Sequence, residues 1–350
     1  MIFSQLAHLP IIFQVDEAIR FKIKKTFKRN NILFKNILVV SGLNYSSHIA
    51  NEIIRNKEWG HLEIEDNSDR TVNMVREYCQ KNDFRLLIAV GGGKVLDTVK
   101  RVAYLSHLNH VSVPTIISND GLISPIAVIT NSSGISESLP AQMPMGVFID
   151  LDIIRKSPEK YLQAAAGDVL SNFSATNDWI LAVQNGNVQM NDLAFQLSRS
   201  AAHSLVHFNR VDFRFKPFLR TIIQGQVNSG IAMGLAGSSR PCSGSEHLIS
   251  HAIDFLGLST DNLHGLQVAS VSLFCLYLQG KLLVEHINYA EATEIPLVFT
   301  DLSDQIEMRL KDIFELAKEM RPGRYTVLDE MSCDEFIDQY DRFRDTYLKQ

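Results

Sequence analysis

Between residues 36 and 150, short apolar runs alternate with stretches whose apolar positions recur every three or four residues. "NILVVSG" (36–42) is apolar, β-branched and closed by Gly42, and "YSSHIANEIIRN" (45–56) then has helical spacing. "HLEIED" (61–66) predicts a strand, "RTVNMVREYCQKN" (70–82) a helix and "RLLIAV" (85–90) a further strand. After another helix come "HVSVPT" (110–115) and, later, "GVFIDL" (146–151). Strands alternating with helices imply a parallel sheet covered on both faces.

The pattern changes near Pro158, beyond which only four of the ten prolines lie. "MNDLAFQLSRSAAHSLVHF" (190–208) and "SDQIEMRLKDIFELAKEM" (303–320) have long helical periodicity. The expectation is an α/β dinucleotide-binding domain over 1–155 and an all-α domain over 156–350, with ligands in the crevice between them.

A chain of 350 residues exceeds a typical single core, which fits two domains. A net charge of -5 gives no footprint for nucleic acid. The one basic run, "KIKKTFKRN" (22–30), reads as the solvated face of an early helix. Cys79, Cys242, Cys275 and Cys333 form no CxxC pair and suit a reducing compartment. The first twenty residues lack the basic start of a signal peptide, and "VASVSLFCLYL" (268–278) is too short to span a membrane. A cytoplasmic location is expected.

"RLLIAVGGGKVLDTVK" (85–100) runs from a strand through three glycines into a helix start. Glycine lets a backbone pass close to a phosphate, and free amides at a helix N-terminus favour negative charge, so a nucleotide is favoured over a plain tight turn. "SVPTIISNDGLISP" (112–125) places hydroxyls and a carboxylate after a strand, as a ligand loop or an ordinary polar turn. In "AAAGDVLSNFSATNDW" (164–179), Asp168 sits among small residues, where a carboxylate is costly to bury unless it meets a cation or hydrogen-bond donors. "RPCSGSEHLISH" (240–251) sets His247 and His251 on one helical face, and His264 follows in "NLHGLQ". One carboxylate and two imidazoles would make a three-ligand site with an open position. From spacing alone the two histidines of the first segment remain two ligands, one ligand and one substrate contact, or ordinary buried residues.

Six segments, "AVGGGKVLDTVK", "SVPTIISNDGLISP", "AAAGDVLSNFSATNDW", "GSSRPCSGSEHLISH", "LHG" and "RPGRYTVL", occur in an order that resembles the glycerol-1-phosphate dehydrogenases. That family is a branch of the metal-dependent alcohol dehydrogenase and dehydroquinate synthase superfamily. The resemblance covers roughly residues 37–328, and SSRPxSGSEHxxSH and RPxRYTxL look specific to the branch.

It implies a dehydroquinate synthase-like fold and an NAD(P)-dependent oxidoreductase that interconverts glycerone phosphate and sn-glycerol 1-phosphate, a precursor in phospholipid biosynthesis. A divalent metal, usually zinc and in some members nickel or iron, would be held by Asp168, His247 and His264. His251 would then be a catalytic substrate contact, with Asp120 and Asp168 also touching the polyol phosphate. NAD(H) or NADP(H) would lie along Gly91, Gly92, Gly93, Lys94, Val95, Leu96 and Asp97, with Thr115, Ile116, Ile117, Ser118 and Ser124. The resemblance does not decide between the two cofactors; Glu65 or Asp66, a little over twenty residues beyond Gly42, is either a reader of the ribose 2′-hydroxyl, which leans the preference to NADH, or an acidic surface turn. Arg240 and Lys94 are the phosphate candidates, and a homo-oligomer is expected.

Asn119 stands where a histidine is common in the family, Cys242 replaces a small alanine, and Leu266 stands where an acidic residue is common. A carbacyclic synthase, a related polyol-phosphate dehydrogenase and a non-catalytic ligand-binding relative are the alternatives.

Overall fold

Leu86–Gly91 presents no polar face; all six residues are buried, and they form an interior strand of a six-stranded sheet. In the computed structural model, which describes residues 9–55, 58–186, 188–259 and 263–347, the chain divides into two units, Met1–Pro158 and Glu159–Gln350.

The first unit contains strands β1 (Ile12–Asp16), β2 (Ile37–Ser41), β3 (Gly60–Glu63), β4 (Leu86–Gly91), β5 (Asn109–Pro114), β6 (Ile126–Thr130), β7 (Ser136–Pro140) and β8 (Gly146–Asp150). The sheet order is β1-β8-β5-β4-β2-β3 and every pairing is parallel, while β6 and β7 form a separate antiparallel hairpin. Helices α1 (Ile23–Arg29), α2 (Tyr45–Ile54), α3 (Asp69–Lys81), α4 (Gly93–Ser106) and α5 (Leu151–Ile154) complete it. Val39, Ile88, Val111 and Phe148 from four neighbouring strands share one apolar cluster with Ile49 and Ile53 of α2 and Phe27 of α1. Each such apolar side chain contributes about 1.5–3 kcal/mol on burial.

The alternating pattern predicted β2 to β5, β8 and the helices between them. The helix expected over 45–56 ends at Ile54, and its last position, 56, lies outside the described residues, as do residues 1–8. The basic run forms α1, which buries Ile23, Thr26 and Phe27 and turns its lysines outward. β1 and the β6–β7 hairpin escape the pattern. β1 is a half-buried edge strand whose partner, β8, lies more than a hundred residues further on, so its apolar content alone does not mark it.

The second unit has helices α6 (Glu159–Leu170), α7 (Asn172–Gln184), α8 (Asp192–Val206), α9 (Lys216–Ala236), α10 (Ser245–Phe255), α11 (His264–Leu278), α12 (Val284–Ala292), α13 (Leu310–Glu319) and α14 (Cys333–Tyr347), and no strand among the described residues. Helix α11 is buried almost throughout. Phe274 on it meets the rings of Phe336, Tyr340 and Phe343 from α14 at centroid separations of 5.3, 5.1 and 5.4 Å. Aromatic pairs of this kind add about 0.5–1.5 kcal/mol each beyond their burial, so α14 fixes the helix that starts at His264. In segment 208–218, Phe208 and Phe213 pack on Phe218 at 5.3 and 5.6 Å. None of the four cysteines is paired, and no helix of the described residues is long and apolar enough to cross a membrane.

Candidate active site

Asp168 lies in the last turn of α6, preceded by the buried run Ala164, Ala165, Ala166, Gly167. That run lets α11 approach so closely that a side chain on Gly167 would stand 2.7 Å from the Ala269 Cβ. The crossing carries His264, the first residue of α11, to Asp168. Helix α10 delivers His247 and His251 one turn apart. Gln267 fastens α10 to α11 by donating to the Ser250 carbonyl at 3.0 Å and to its hydroxyl at 2.8 Å.

Asp168, His247 and His264 each offer a ligand atom, and these atoms lie within 4.8 Å of one another. The His251 ring lies 6.1 Å from that of His247 and 5.8 Å from that of His264, and it stacks on the latter. Burial pushes His247 and His251 well below the ordinary imidazole pKa, and it lowers His264 as well; the Arg321 charge acts in the same direction on all three. Neutral imidazoles keep a lone pair for a metal, so the donor set fits a divalent ion with an open position.

Two residues without a role in the sequence reading hold this set in place. Glu246 accepts from His247 Nδ1 at 2.9 Å, which leaves Nε2 as the ligand nitrogen. Glu246 is itself fully buried and accepts from the Gly244 amide at 2.6 Å and the Ser174 hydroxyl at 2.7 Å. Gln226 on α9 donates to Asp168 Oδ2 at 3.3 Å and to the Ala165 carbonyl at 2.6 Å. Such outer partners orient the ligating groups. Asp178 accepts from the Ser245 amide at 2.6 Å at the start of α10, and burial together with Glu246 pushes its carboxyl up to about 6.

In the first unit, Gly91, Gly92 and Gly93 join β4 to α4; the Val95 and Leu96 amides donate to the Gly92 carbonyl at 3.0 and 3.2 Å, which leaves the Gly93 and Lys94 amides without an acceptor in the helix. The three glycines differ. A side chain on Gly91 would meet Val95 at 2.6 Å and one on Gly92 would meet Ile116 at 3.0 Å, but at Gly93 it would meet nothing within 4 Å. Lys94 is exposed; Val95 and Leu96 are buried. Asp97 bonds the Lys100 ammonium at 2.8 Å and the Val128 amide at 3.2 Å, so it ties α4 to the β6–β7 hairpin.

Thr115 and Ile117 are buried, Ile116 and Ser118 partly so, and the Thr115 hydroxyl lies 3.3 Å from that of Ser46. Asn119 caps the next turn by accepting from the Gly121 amide at 3.0 Å. Asp120 follows it, its carboxyl pushed up to about 6 by burial against the pull of Lys100 and a hydrogen bond from Ser124. Asp66 accepts from the amide and hydroxyl of Ser68 at 2.9 and 2.7 Å, which fixes a charged carboxylate at the start of α3, while Glu65 is exposed.

A family model for iron-containing alcohol dehydrogenases matches residues 14–158. A glycerol-1-phosphate dehydrogenase of Metallosphaera sedula is 30% identical, covering 94% of this chain and 94% of its own. One of Saccharolobus islandicus is 32% identical over 84% of each chain, and one of Nitrosopumilus maritimus 28% identical over 85% and 84%. Among solved structures, a probable glycerol dehydrogenase from Sinorhizobium meliloti superposes with a TM-score of 0.79 at 21% identity, covering 96% of this chain and 97% of that one. Sulfoacetaldehyde reductase from Bifidobacterium kashiwanohense, solved with NAD+, gives 0.72 at 15% identity, covering 99% and 100%. At these identities the two structures establish the fold.

Proposed function

The chain belongs to the glycerol-1-phosphate dehydrogenase family, and on that premise we propose that it interconverts glycerone phosphate and sn-glycerol 1-phosphate with a nicotinamide dinucleotide and one divalent metal. The observation that carries this reading is the convergence of Asp168, His247 and His264, whose ligand atoms lie within 4.8 Å of one another. These three residues would hold the metal, and zinc is the proposed occupant because two imidazoles and a carboxylate with an open position suit it. When bound, the metal supplies Lewis-acid polarisation of the C2 oxygen and the nicotinamide supplies the hydride.

The chain's own groups do the positioning and the proton work. Glu246 fixes the tautomer of His247, and Gln226 steadies Asp168. His251, kept neutral by burial, has one N–H to give and one lone pair to receive. It is the proposed proton carrier for the C2 hydroxyl. In the first unit, the Gly93 and Lys94 amides at the start of α4 are the proposed seat of the dinucleotide's phosphates, and Asp120 is the proposed substrate carboxylate. Glu65 and Asp66 remain the proposed readers of the ribose, with NADH preferred.

The test is metal analysis of the purified protein, with NADH and NADPH oxidation followed on a panel of ketose phosphates. Glycerone phosphate is expected to be the best substrate, with net consumption of NADH. A better ketose phosphate, or no turnover on any of them by metal-loaded protein, overturns the assignment. A kcat/KM ten times higher with NADPH overturns the cofactor preference.

A further inference from the structure

The segments "SSRPCSG" and "RPGRYT" lie far apart in the chain, yet side chains of the second unit bind them together. Arg321 Nη1 donates to the hydroxyls of Ser239 and Ser243, the latter at 3.2 Å. Arg324 donates to the Ser243 carbonyl and, at 2.9 Å, to the Ser239 hydroxyl. Arg240 donates at 3.4 Å to the carbonyls of Tyr325 and Gly323, and so clamps the loop that carries the other two.

All the partners of Arg321 and Arg324 are neutral oxygens; among the described residues neither guanidinium forms a salt bridge. The acid nearest in influence, Glu246, is taken up by Ser174, Gly244 and His247. Both hydrogen bonds of Arg321 leave from Nη1, so its Nε and Nη2 meet no acceptor among the described residues, and nor does Nε of Arg324. Nε with Nη2 is the edge of a guanidinium that takes two oxygens of a phosphate side by side. Two half-buried cations pinned from behind by serines, repelling each other and lacking an anion, make an electrostatic deficit that a dianion would fill. Ser243, which both guanidinium groups bond, lies two residues before α10, the helix that carries His247 and His251, so the pair of arginines sits at the N-terminal end of that helix.

We propose that Arg321 and Arg324, backed by Ser239 and Ser243, bind the phosphate group of the substrate. This rests on the reading of the protein as a glycerone phosphate reductase and replaces the earlier candidates. Arg240 becomes the clamp of the loop, and Lys94 stays with the first unit. The site makes the enzyme selective for a phosphorylated ketone over the free ketone.

The experiment compares wild type, Arg321→Gln, Arg321→Lys and Arg324→Gln, each metal-loaded, on glycerone phosphate and on unphosphorylated glycerone. Calorimetry with inorganic phosphate runs alongside. Each lost charge-assisted hydrogen bond is expected to lower kcat/KM on glycerone phosphate roughly tenfold to a hundredfold. Activity on glycerone should stay within about threefold of wild type, Arg321→Lys should recover part of the loss, and phosphate binding should vanish in both glutamine variants. An equal loss on both ketones would mean that the arginines only hold the loops together. Phosphate binding that survives in the glutamine variants, or is absent from wild type, also overturns the proposal. Wild type that binds phosphate through Arg321 but does not turn over glycerone phosphate would sink the function and leave the phosphate site standing.

Discussion

The carbonyl oxygen of Gly265 lies 2.6 Å from where a side chain on Gly167 would begin. Each glycine stands next to a proposed metal ligand, Gly167 before Asp168 and Gly265 after His264, so the closest approach of α6 and α11 is what brings those two ligands together. A methyl at position 167 has no flexible neighbour to displace, since the obstacle is backbone. Gly167→Ala is expected to cost about 1–3 kcal/mol, as overpacking does, and to weaken metal affinity with it. Thermal unfolding and metal titration check this. Unchanged metal affinity would show that the crossing does not set the site.

The glycine loop separates by position. Gly93→Ala is expected to leave stability unchanged or slightly raised, because its Cβ meets nothing in the protein. It should weaken NADH binding at least tenfold by filling space that the dinucleotide would use. Gly91→Ala is expected to lower the Tm, since Val95 stands 2.6 Å away. NADH fluorescence titration and melting curves on both variants decide it. Tight binding by Gly93→Ala would remove this loop from the cofactor site.

Glu246→Gln is expected to keep the fold, since the amide can face Ser174 while its oxygen still accepts from Gly244 and His247. Losing the charge behind His247 should lower metal affinity roughly tenfold to a hundredfold. A competition titration against a chelator measures it, and wild-type affinity in the variant would reduce Glu246 to a structural cap.

His110 on β5 is fully buried, neither ring nitrogen meets a partner among the described residues, and burial pushes its pKa down to about 3. The unfolded histidine titrates near 6.5, so unfolding takes up a proton at any pH between those values. Stability from this residue is therefore present above about 6.5 and falls as the pH drops, by at most about 1.4 kcal/mol per pH unit. Denaturation of His110→Leu and wild type across pH 8 to 5 is expected to show a stability gap that widens in favour of the variant. A gap independent of pH would contradict it.

The sheet and the helical second unit were legible because each leaves a local trace, unbroken apolar strands in one and helical periodicity in the other. Asp168 stood out as a carboxylate among small residues, but spacing alone left the roles of His247 and His251 open, and the choice of His247 and His264 as proposed ligands came from the resemblance. The supports were not legible. Glu246 stands beside His247 in the sequence, but only the fold turns its carboxylate onto Nδ1. Gln226 reaches Asp168 across 58 positions, and Arg321 reaches Ser243 across 78; no spacing rule encodes either. The carboxylate of Asp97 holds Lys100 and the Val128 amide, and the second of these partners lies 31 positions away, beyond any local pattern.

The account stands most directly on metal-dependent turnover of glycerone phosphate. Protein stripped by a chelator and reloaded with one equivalent of zinc is assayed for NADH oxidation, beside His247→Ala, His264→Ala and His251→Ala carried through the same steps. Reloading is expected to restore turnover in wild type. The first two variants should neither bind metal nor turn over, and His251→Ala should bind metal with turnover reduced at least a hundredfold. Full turnover by the stripped enzyme, or a metal-free His251→Ala, would contradict it.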